Sequence, residues 1–230
     1  MKENDQNDNL DHSQNAAIFT KVYQENYWGG KKGEYYSGCG SHSRFIPGYA
    51  RTIAEFIIKN NIRSIVEAGC GDFHVSSQIL SLLHEQEYGY NYLGYDVVAP
   101  LIIRNTASFG SQCVKFQFKD ACKDDIAAGD LLLVRQVMQH LNNHSILQLL
   151  QKFHHYKFVI FSEHQASAKY EEMIVPNLDI QTGAHIRLSF NSGVYLEKEP
   201  FNCKIDSLLH TINEEIGGLE AGINTYVIKN

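Results

Sequence analysis

The chain has 230 residues, enough for one domain with a substantial core, and its 43% hydrophobic and 20% charged content is ordinary for a globular protein. A formal net charge of −6 gives no electrostatic footprint for duplex DNA or RNA, and the short Lys31–Lys32 pair reads as a solvated loop. The five cysteines (Cys39, Cys70, Cys113, Cys122, Cys203) are odd in number and show no Cys-x-x-Cys spacing, which argues against a zinc ribbon or a disulfide scaffold and fits a reducing compartment.

Residues 1–15, rich in Asn, Asp and Gln, read as a disordered tail without the apolar core of a signal peptide. No apolar run approaches the ~18 residues of a membrane span, so a cytoplasmic protein with no membrane partner is expected. A short helix is predicted over Ala16–Tyr27, with Ile18, Phe19, Val22 and Tyr23 on one side. Trp28–Gly48 is dense in Gly, Ser and Tyr and contains SGCGS at Ser37–Ser41. So aromatic a loop folds over something, either the core or a bound ligand.

A helix follows over Gly48–Asn60, then a strand at Ser64–Glu67, a glycine turn, and a helix to about His84. The next strand is Tyr92–Val98, with Pro100 opening a helix over Leu101–Ser108. Val114–Phe118 leads to Asp120, and the continuous apolar run Leu131–Val134 suits a strand buried on both faces of a parallel sheet. Asn142 or Asn143 caps a helix carrying Ile146, Leu149, Leu150 and Phe153, and Phe158–Phe161 is a fifth strand. Residues 165–205 read as irregular, and Ser207–Glu214 with Asn224–Lys229 as an antiparallel hairpin about the GGLEAG turn.

Strands alternating with helices predict an α/β, Rossmann-like doubly wound sheet, mostly parallel with an antiparallel C-terminal hairpin. The expected organisation is a single domain over 16–230, with N-terminal helices and a lid at 16–60 and a substrate-side insertion at 165–205.

The chemistry centres on SIVEAGCGDF at Ser64–Phe73, a strand, a glycine turn and a helix. Glycines there admit a ligand close to the backbone, and the helix N-terminus behind them favours a negative group. A dinucleotide fingerprint needs a third glycine three residues after Gly71, where His74 stands instead. That weakens an NAD reading. Glu67, two residues before Gly69, suits a ligand carrying an ammonium or hydroxyl donor, as S-adenosylmethionine does. The turn alone does not decide between a cofactor site and a structural turn.

Further motifs add specificity: Trp28, SGCGS at Ser37–Ser41, GCGDF at Gly69–Phe73, LGYDVV at Leu93–Val98, RQVMQHL at Arg135–Leu141, Asn177–Gly183 and Glu199–Phe201. On these the chain resembles class I S-adenosylmethionine-dependent methyltransferases, and more narrowly a mostly uncharacterised bacterial group. That group's pattern is SGxGS, GCGDW, LGxDIV, RDVLQHL, an Asn-x-Asp segment and PPF. The resemblance runs from about Trp28 to the C-terminus and implies the seven-stranded methyltransferase fold. Phe73 replaces the Trp of GCGDW, Glu199 the first proline of PPF, and Gln136 the acid of RDVLQHL. The last change removes a charge beside the expected cofactor pocket.

The resemblance implies that Glu67, Gly69, Cys70 and Gly71 hold the methionine end of S-adenosylmethionine, and that Asp96, with Val97, accepts from the ribose hydroxyls. Asp120, with Ala121, would accept from the adenine amino group, while Arg135 and Gln136 border the pocket. Each also has a structural reading: Asp96 as a helix cap, Asp120 as a solvated turn residue, Arg135 as one half of an ion pair. An oxygen nucleophile needs a proton acceptor, and His140 and His164, after the fourth and fifth strands, are the candidates by position. His140 also reads as a brace for the helix that follows.

Trp28, Tyr35, Tyr36, Asn177, Asp179 and Arg187 are the candidate substrate contacts, suited to a polar small molecule or a saccharide. His140 and His144 share a helical spacing, but no further ligand completes a metal site, and none is expected. The expected activity is methyl transfer to oxygen of a small polar acceptor. Cofactor binding without transfer, a protein acceptor (or, less favoured by the acidic charge, an RNA one) and nicotinamide-dependent oxidoreduction are the alternatives.

Overall fold

The computed structural model describes residues 14–216 and 218–230. The first helix, α1 (Gln14–Gln24), buries Phe19, Val22 and Tyr23. It starts two residues inside the stretch expected to be a disordered tail, and the rest of that stretch lies outside the described residues. Helix α2 (Ile46–Lys59) begins before Gly48 because Pro47, in its first turn, presets a helical φ.

Then come β1 (Ser64–Ala68), α3 (His74–Glu85), β2 (Asn91–Asp96), α4 (Ala99–Phe109), β3 (Val114–Phe118) and β4 (Gly129–Arg135). β2 stops at Asp96, leaving Val97 and Val98 as connection rather than strand. Helix α5 (Asn143–Leu150) is capped by Asn142, whose Oδ1 accepts from Ser145 N at 2.8 Å, while Phe153 falls in a separate tight turn.

β5 (Tyr156–Ala166) is followed by two short strands, β6 (Val175–Pro176) and β7 (Ser192–Gly193), paired with each other inside the otherwise irregular insertion. β8 (Ser207–Ile216) and β9 (Leu219–Lys229) close the chain. Two expectations are corrected here. β5 runs on to Ala166 because β9 pairs with it that far, so His164 lies within the strand rather than after it. The hairpin ladder reaches Ile216 opposite Leu219, so most of the GGLEAG segment is strand and the turn is shorter.

The sheet order is β3-β2-β1-β4-β5-β9-β8. β1 to β5 are parallel, β9 runs antiparallel to β5, and β8 antiparallel to β9. Two reversals leave β8 parallel to β5, so its C-terminal end reaches the same edge of the sheet as the ends of β1, β2 and β4. Leu131 to Val134 are buried as their unbroken apolar run requires. Helices cover both faces. Order reverses between β1 and β4, the switch point at which ligands enter open α/β sheets. No helix among the described residues is long and apolar enough to cross a membrane.

Candidate functional site

A cavity of about 550 Å³ opens at that switch point, along the C-terminal edge of the strands. Every cofactor-side residue named from sequence lines it: Glu67, Gly69, Cys70, Gly71, Asp96, Val97, Asp120, Ala121, Arg135 and Gln136. His140, His164 and Trp28 line it too.

Glu67 sits at the tip of β1, fully buried, and receives hydrogen bonds on Oε2 from Ser76 Oγ (2.7 Å) and the Tyr92 hydroxyl. Burial pushes its carboxyl pKa upward against those two bonds. Beyond it Gly69 (φ 77°) and Gly71 (φ 52°) take left-handed backbone. A Cβ on Gly69 would come within 2.4 Å of Val137 Cγ2, and one on Gly71 within 2.6 Å of Ser37 Oγ. Both glycines are therefore required by shape as well as by conformation.

Asp96, at the tip of β2, accepts from Gly71 N (3.0 Å) and Val98 N (3.1 Å). Burial raises its pKa to about 6, and those N–H groups pull it back down. Each oxygen keeps a lone pair for a further donor. Past β3, Asp120 accepts from Cys122 N (2.9 Å) and from Asn15 Nδ2 (3.0 Å), an amide donated by α1. Arg135 ends β4, its guanidinium over the Tyr49 ring at 5.1 Å and bonded to Gly40 O at 2.9 Å, with Nε buried and without a partner.

The glycine-rich segments meet over the cavity. Ser37 N donates to Asp72 Oδ2 (3.0 Å) and Ser37 Oγ accepts from Asp72 N (2.8 Å), a reciprocal pair that pins SGCGS onto GCGDF. Tyr23 and Ser37 hydroxyls meet at 2.7 Å, and His42 Nε2 lies 2.8 Å from Asp72 Oδ2. Asp72 Oδ1 also accepts from His74 N (3.0 Å) at the start of α3. His74 itself stacks on the His42 ring at 4.1 Å, outside the cavity. In the sequence Asp72 is marked only by its place in GCGDF, just after the glycine turn.

The opposite rim is assembled from distant segments. Buried Glu163 accepts from Val137 N, Met138 N and Gln139 N (3.1, 2.8 and 3.1 Å), fixing the turn after β4, and burial raises its pKa to about 7. Gln136 is held at φ 53°, a left-handed conformation unusual for a non-glycine residue, and Gly40 leaves room for its amide. His140 is buried, its pKa lowered to about 4 by that burial. His164 has both ring nitrogens engaged, Nδ1 with Gln139 Oε1 and Nε2 with Glu214 Oε1, each at 2.7 Å. Glu214, Glu215 and Ile216 at the end of β8 complete the wall, and no local pattern in the sequence marks them.

Several candidate substrate residues are placed elsewhere. Asn177 is buried, donating to the carbonyls of Tyr195 and Glu199 and accepting from Tyr195 N. Arg187, 1% exposed, donates to the carbonyls of Leu178 and Leu141 and to Asn143 Oδ1. Asp179 accepts from Asn143 N at 2.7 Å. These polar side chains satisfy the backbone of the irregular insertion rather than facing the cavity. Tyr36 stacks on His42 at 4.5 Å and Tyr35 packs near Tyr23. Neither lines the cavity. Trp28 does, wedged against Phe19, Tyr23 and His140, with Nε1 donating to Ala184 O (2.9 Å). Among the described residues no His, Cys, Asp or Glu side chains gather in a group able to hold a metal ion.

No protein-family model matches the chain, and no curated protein does. Solved structures do match it. The magnesium protoporphyrin IX methyltransferase of Synechocystis, solved with bound SAM, superposes with a TM-score of 0.52 at 12% identity, over 94% of this chain and 97% of that one. The N-terminal domain of EvdMO1 with SAH bound gives 0.51 at 14% identity over 81% and 82%. Human N-acetylserotonin methyltransferase in complex with SAM gives 0.50 at 12% over 90% of this chain and 62% of that chain. The fold these comparisons share with the chain is the α/β, Rossmann-like methyltransferase fold, a mostly parallel seven-stranded sheet closed by an antiparallel C-terminal hairpin.

Proposed function

We propose that the protein is an S-adenosylmethionine-dependent methyltransferase acting on oxygen of a small polar acceptor, saccharides included. The observation that carries this reading is the row of acids along one cavity wall, with Glu67, Asp96 and Asp120 at the ends of β1, β2 and β3. The chemistry of that row fits the ligand. Carboxylates suit an ammonium, vicinal hydroxyls and an amino group, and they favour a cation, whereas a pyrophosphate would be repelled. Arg135, at the end of β4 with its buried unpartnered Nε, offers a cationic contact for a carboxylate across the cavity from this row. The glycine turn lets the backbone approach, and the similar folds solved with SAM or SAH support the reading.

S-adenosylmethionine would supply the methyl group on a positively charged sulfur. The chain's part is to hold donor and acceptor in line and to exclude water, which makes alignment alone worth several kcal/mol. Glu67 and the Gly69–Gly71 turn would fix the amino-acid end, Asp96 the ribose and Asp120 the base. The Ser37–Ser41 loop, tied down through Asp72, covers them. The net charge of −6 and the free cysteines support a small-molecule acceptor and a reducing, cytoplasmic setting.

Titration calorimetry with S-adenosylmethionine, S-adenosylhomocysteine and NAD tests the reading, on the wild type and on Asp96→Ala. Saturable binding of both sulfur ligands, weakened roughly tenfold or more in the variant, is expected. Binding of NAD alone would overturn the proposal.

A further inference from the structure

His164 and Glu214 come together from strands that are not neighbours. β9 lies between them, with Ile223 opposite His164 and the small Ala221 opposite Glu214, so the Glu214 side chain reaches diagonally past Ala221. The Glu214 carboxylate thus reaches the His164 ring over the sheet at 2.7 Å.

The direction of each proton in this cluster follows from its far end. The His185 carbonyl can only accept, so His140 Nδ1 carries a proton and donates to it at 3.2 Å. His140 Nε2 then offers a lone pair and accepts from Gln139 Nε2 at 3.3 Å. That turns the Gln139 oxygen toward His164, whose Nδ1–H donates to it at 2.7 Å. With Nδ1 committed, His164 meets Glu214 through Nε2, and one proton lies between ring and carboxylate. The Gln136 amide rests against the same ring, 3.1 and 3.4 Å from its nitrogens. His164 therefore has no lone pair to turn on an acceptor. Glu214 does, because Oε2 has no partner among the described residues and the side chain, 25% exposed, lines the cavity.

We propose that Glu214, held by His164, is the catalytic base, and that His164 is a positioning residue. The inference rests on the methyltransferase reading above. Glu214 Oε2 takes the acceptor's hydroxyl proton as the oxygen forms its bond to carbon and the carbon–sulfur bond breaks, its electron pair passing to sulfur. The proton then leaves to solvent past the exposed side of Glu214. The carboxylate thus comes from β8, while the residue after β4, Gln136, carries an amide. The charged and titratable groups that interact with the pair are Arg135 from β4, with Glu214, and His140 from the turn after it, with His164; Glu215, next on β8, lines the same cavity.

A binding experiment tests this without knowing the acceptor. Sinefungin is an S-adenosylmethionine analogue that carries an amine on the carbon replacing the methylated sulfur, so it directs a charged N–H at the position where a base must stand. Calorimetry compares sinefungin with S-adenosylhomocysteine on wild type and Glu214→Gln. Expected are tighter wild-type binding of sinefungin, a loss of that preference by roughly tenfold in Glu214→Gln, and an unchanged affinity for S-adenosylhomocysteine. A preference that survives the substitution overturns the role of Glu214. Failure of both ligands to bind the wild type overturns the methyltransferase reading itself.

Ring-nitrogen NMR of the wild type gives a second readout that does not depend on the variant folding. At about pH 7 His164 is expected to hold its Nδ1 proton and His140 to be the neutral Nδ1–H form. An unprotonated His164 Nδ1 would also sink the proposal.

Discussion

On the β1–β2–β3 side of the cavity each functional group stands within a few residues of a strand tip, and Asp96 and Asp120 accept from backbone N–H groups of the turns that follow or flank them, while Glu67 is held by Ser76 and Tyr92. Asp96 bonded to Gly71 N and Val98 N is the type example. On the β4–β5–β8 side the groups come from Gln136, His164 and Glu214, joined by side chains alone. The first wall is a consequence of strand geometry and tolerates little change. The second is a constellation, and each of its members can be altered without touching the sheet. On the proposed reading, the cofactor is held by the first wall and the acceptor is met by the second.

The largest effect that would sharpen this contrast lies behind the second wall. Arg187→Ala leaves the carbonyls of Leu141 and Leu178 without their donor and is expected to cost about 3 kcal/mol in urea unfolding. The affinity of the folded fraction for S-adenosylhomocysteine should stay within about twofold, since Arg187 does not line the cavity. A large loss of affinity with normal stability would put Arg187 back among the ligand contacts.

A smaller effect is expected at the seam between the walls. Asp72→Asn keeps the shape but weakens the bonds from Ser37 N and His42 to Oδ2. Affinity for S-adenosylhomocysteine should fall by about tenfold with little change in melting temperature, as seen by calorimetry and scanning fluorimetry. Equal affinity would mean that the Ser37–Ser41 loop does not contribute to holding the ligand.

The smallest predicted effect is a pH dependence of the first wall. Burial has raised Asp96 to about 6, so in the ligand-free protein this group favours the fold below the unfolded carboxyl value and loses that contribution as pH rises through about 6. Hydroxyl donors bind the ionised form, so ligand affinity runs the other way and weakens as pH falls through about 6. Calorimetry at about pH 7.5 and about pH 5.5 should show a few-fold weakening, reduced in Asp96→Asn. A flat wild-type profile would remove Asp96 from the ribose site.

The same contrast governs what could be read from the residues in order. β3 was legible to the residue at Val114–Phe118, and Glu67, Asp96 and Asp120 stand at strand ends, because alternation, a β-branched run and a following acid are local signals. β5 was read too short because Glu163, His164 and Gln165 look like loop residues, and only pairing with β9 makes them strand. Glu214 carried no signal at all, since its partner is fifty positions away in sequence. Asn177, Asp179 and Arg187 misled for a physical reason. An irregular segment must satisfy its own carbonyls and amides, and the polar side chains that do so resemble binding residues when seen as letters.

The contacts of α1 and of Trp28 in the loop after it also have a consequence for the order in which the protein comes into being. Asn15 bonds Asp120 across 105 positions and Trp28 bonds Ala184 across 156. A chain emerging from the ribosome therefore presents its cavity wall long before there is a cavity. The earlier segment waits beside an unfinished sheet, and it docks when residues from β3 to the insertion have arrived. Closure of the pocket is thus timed by segments made long after the one that closes it.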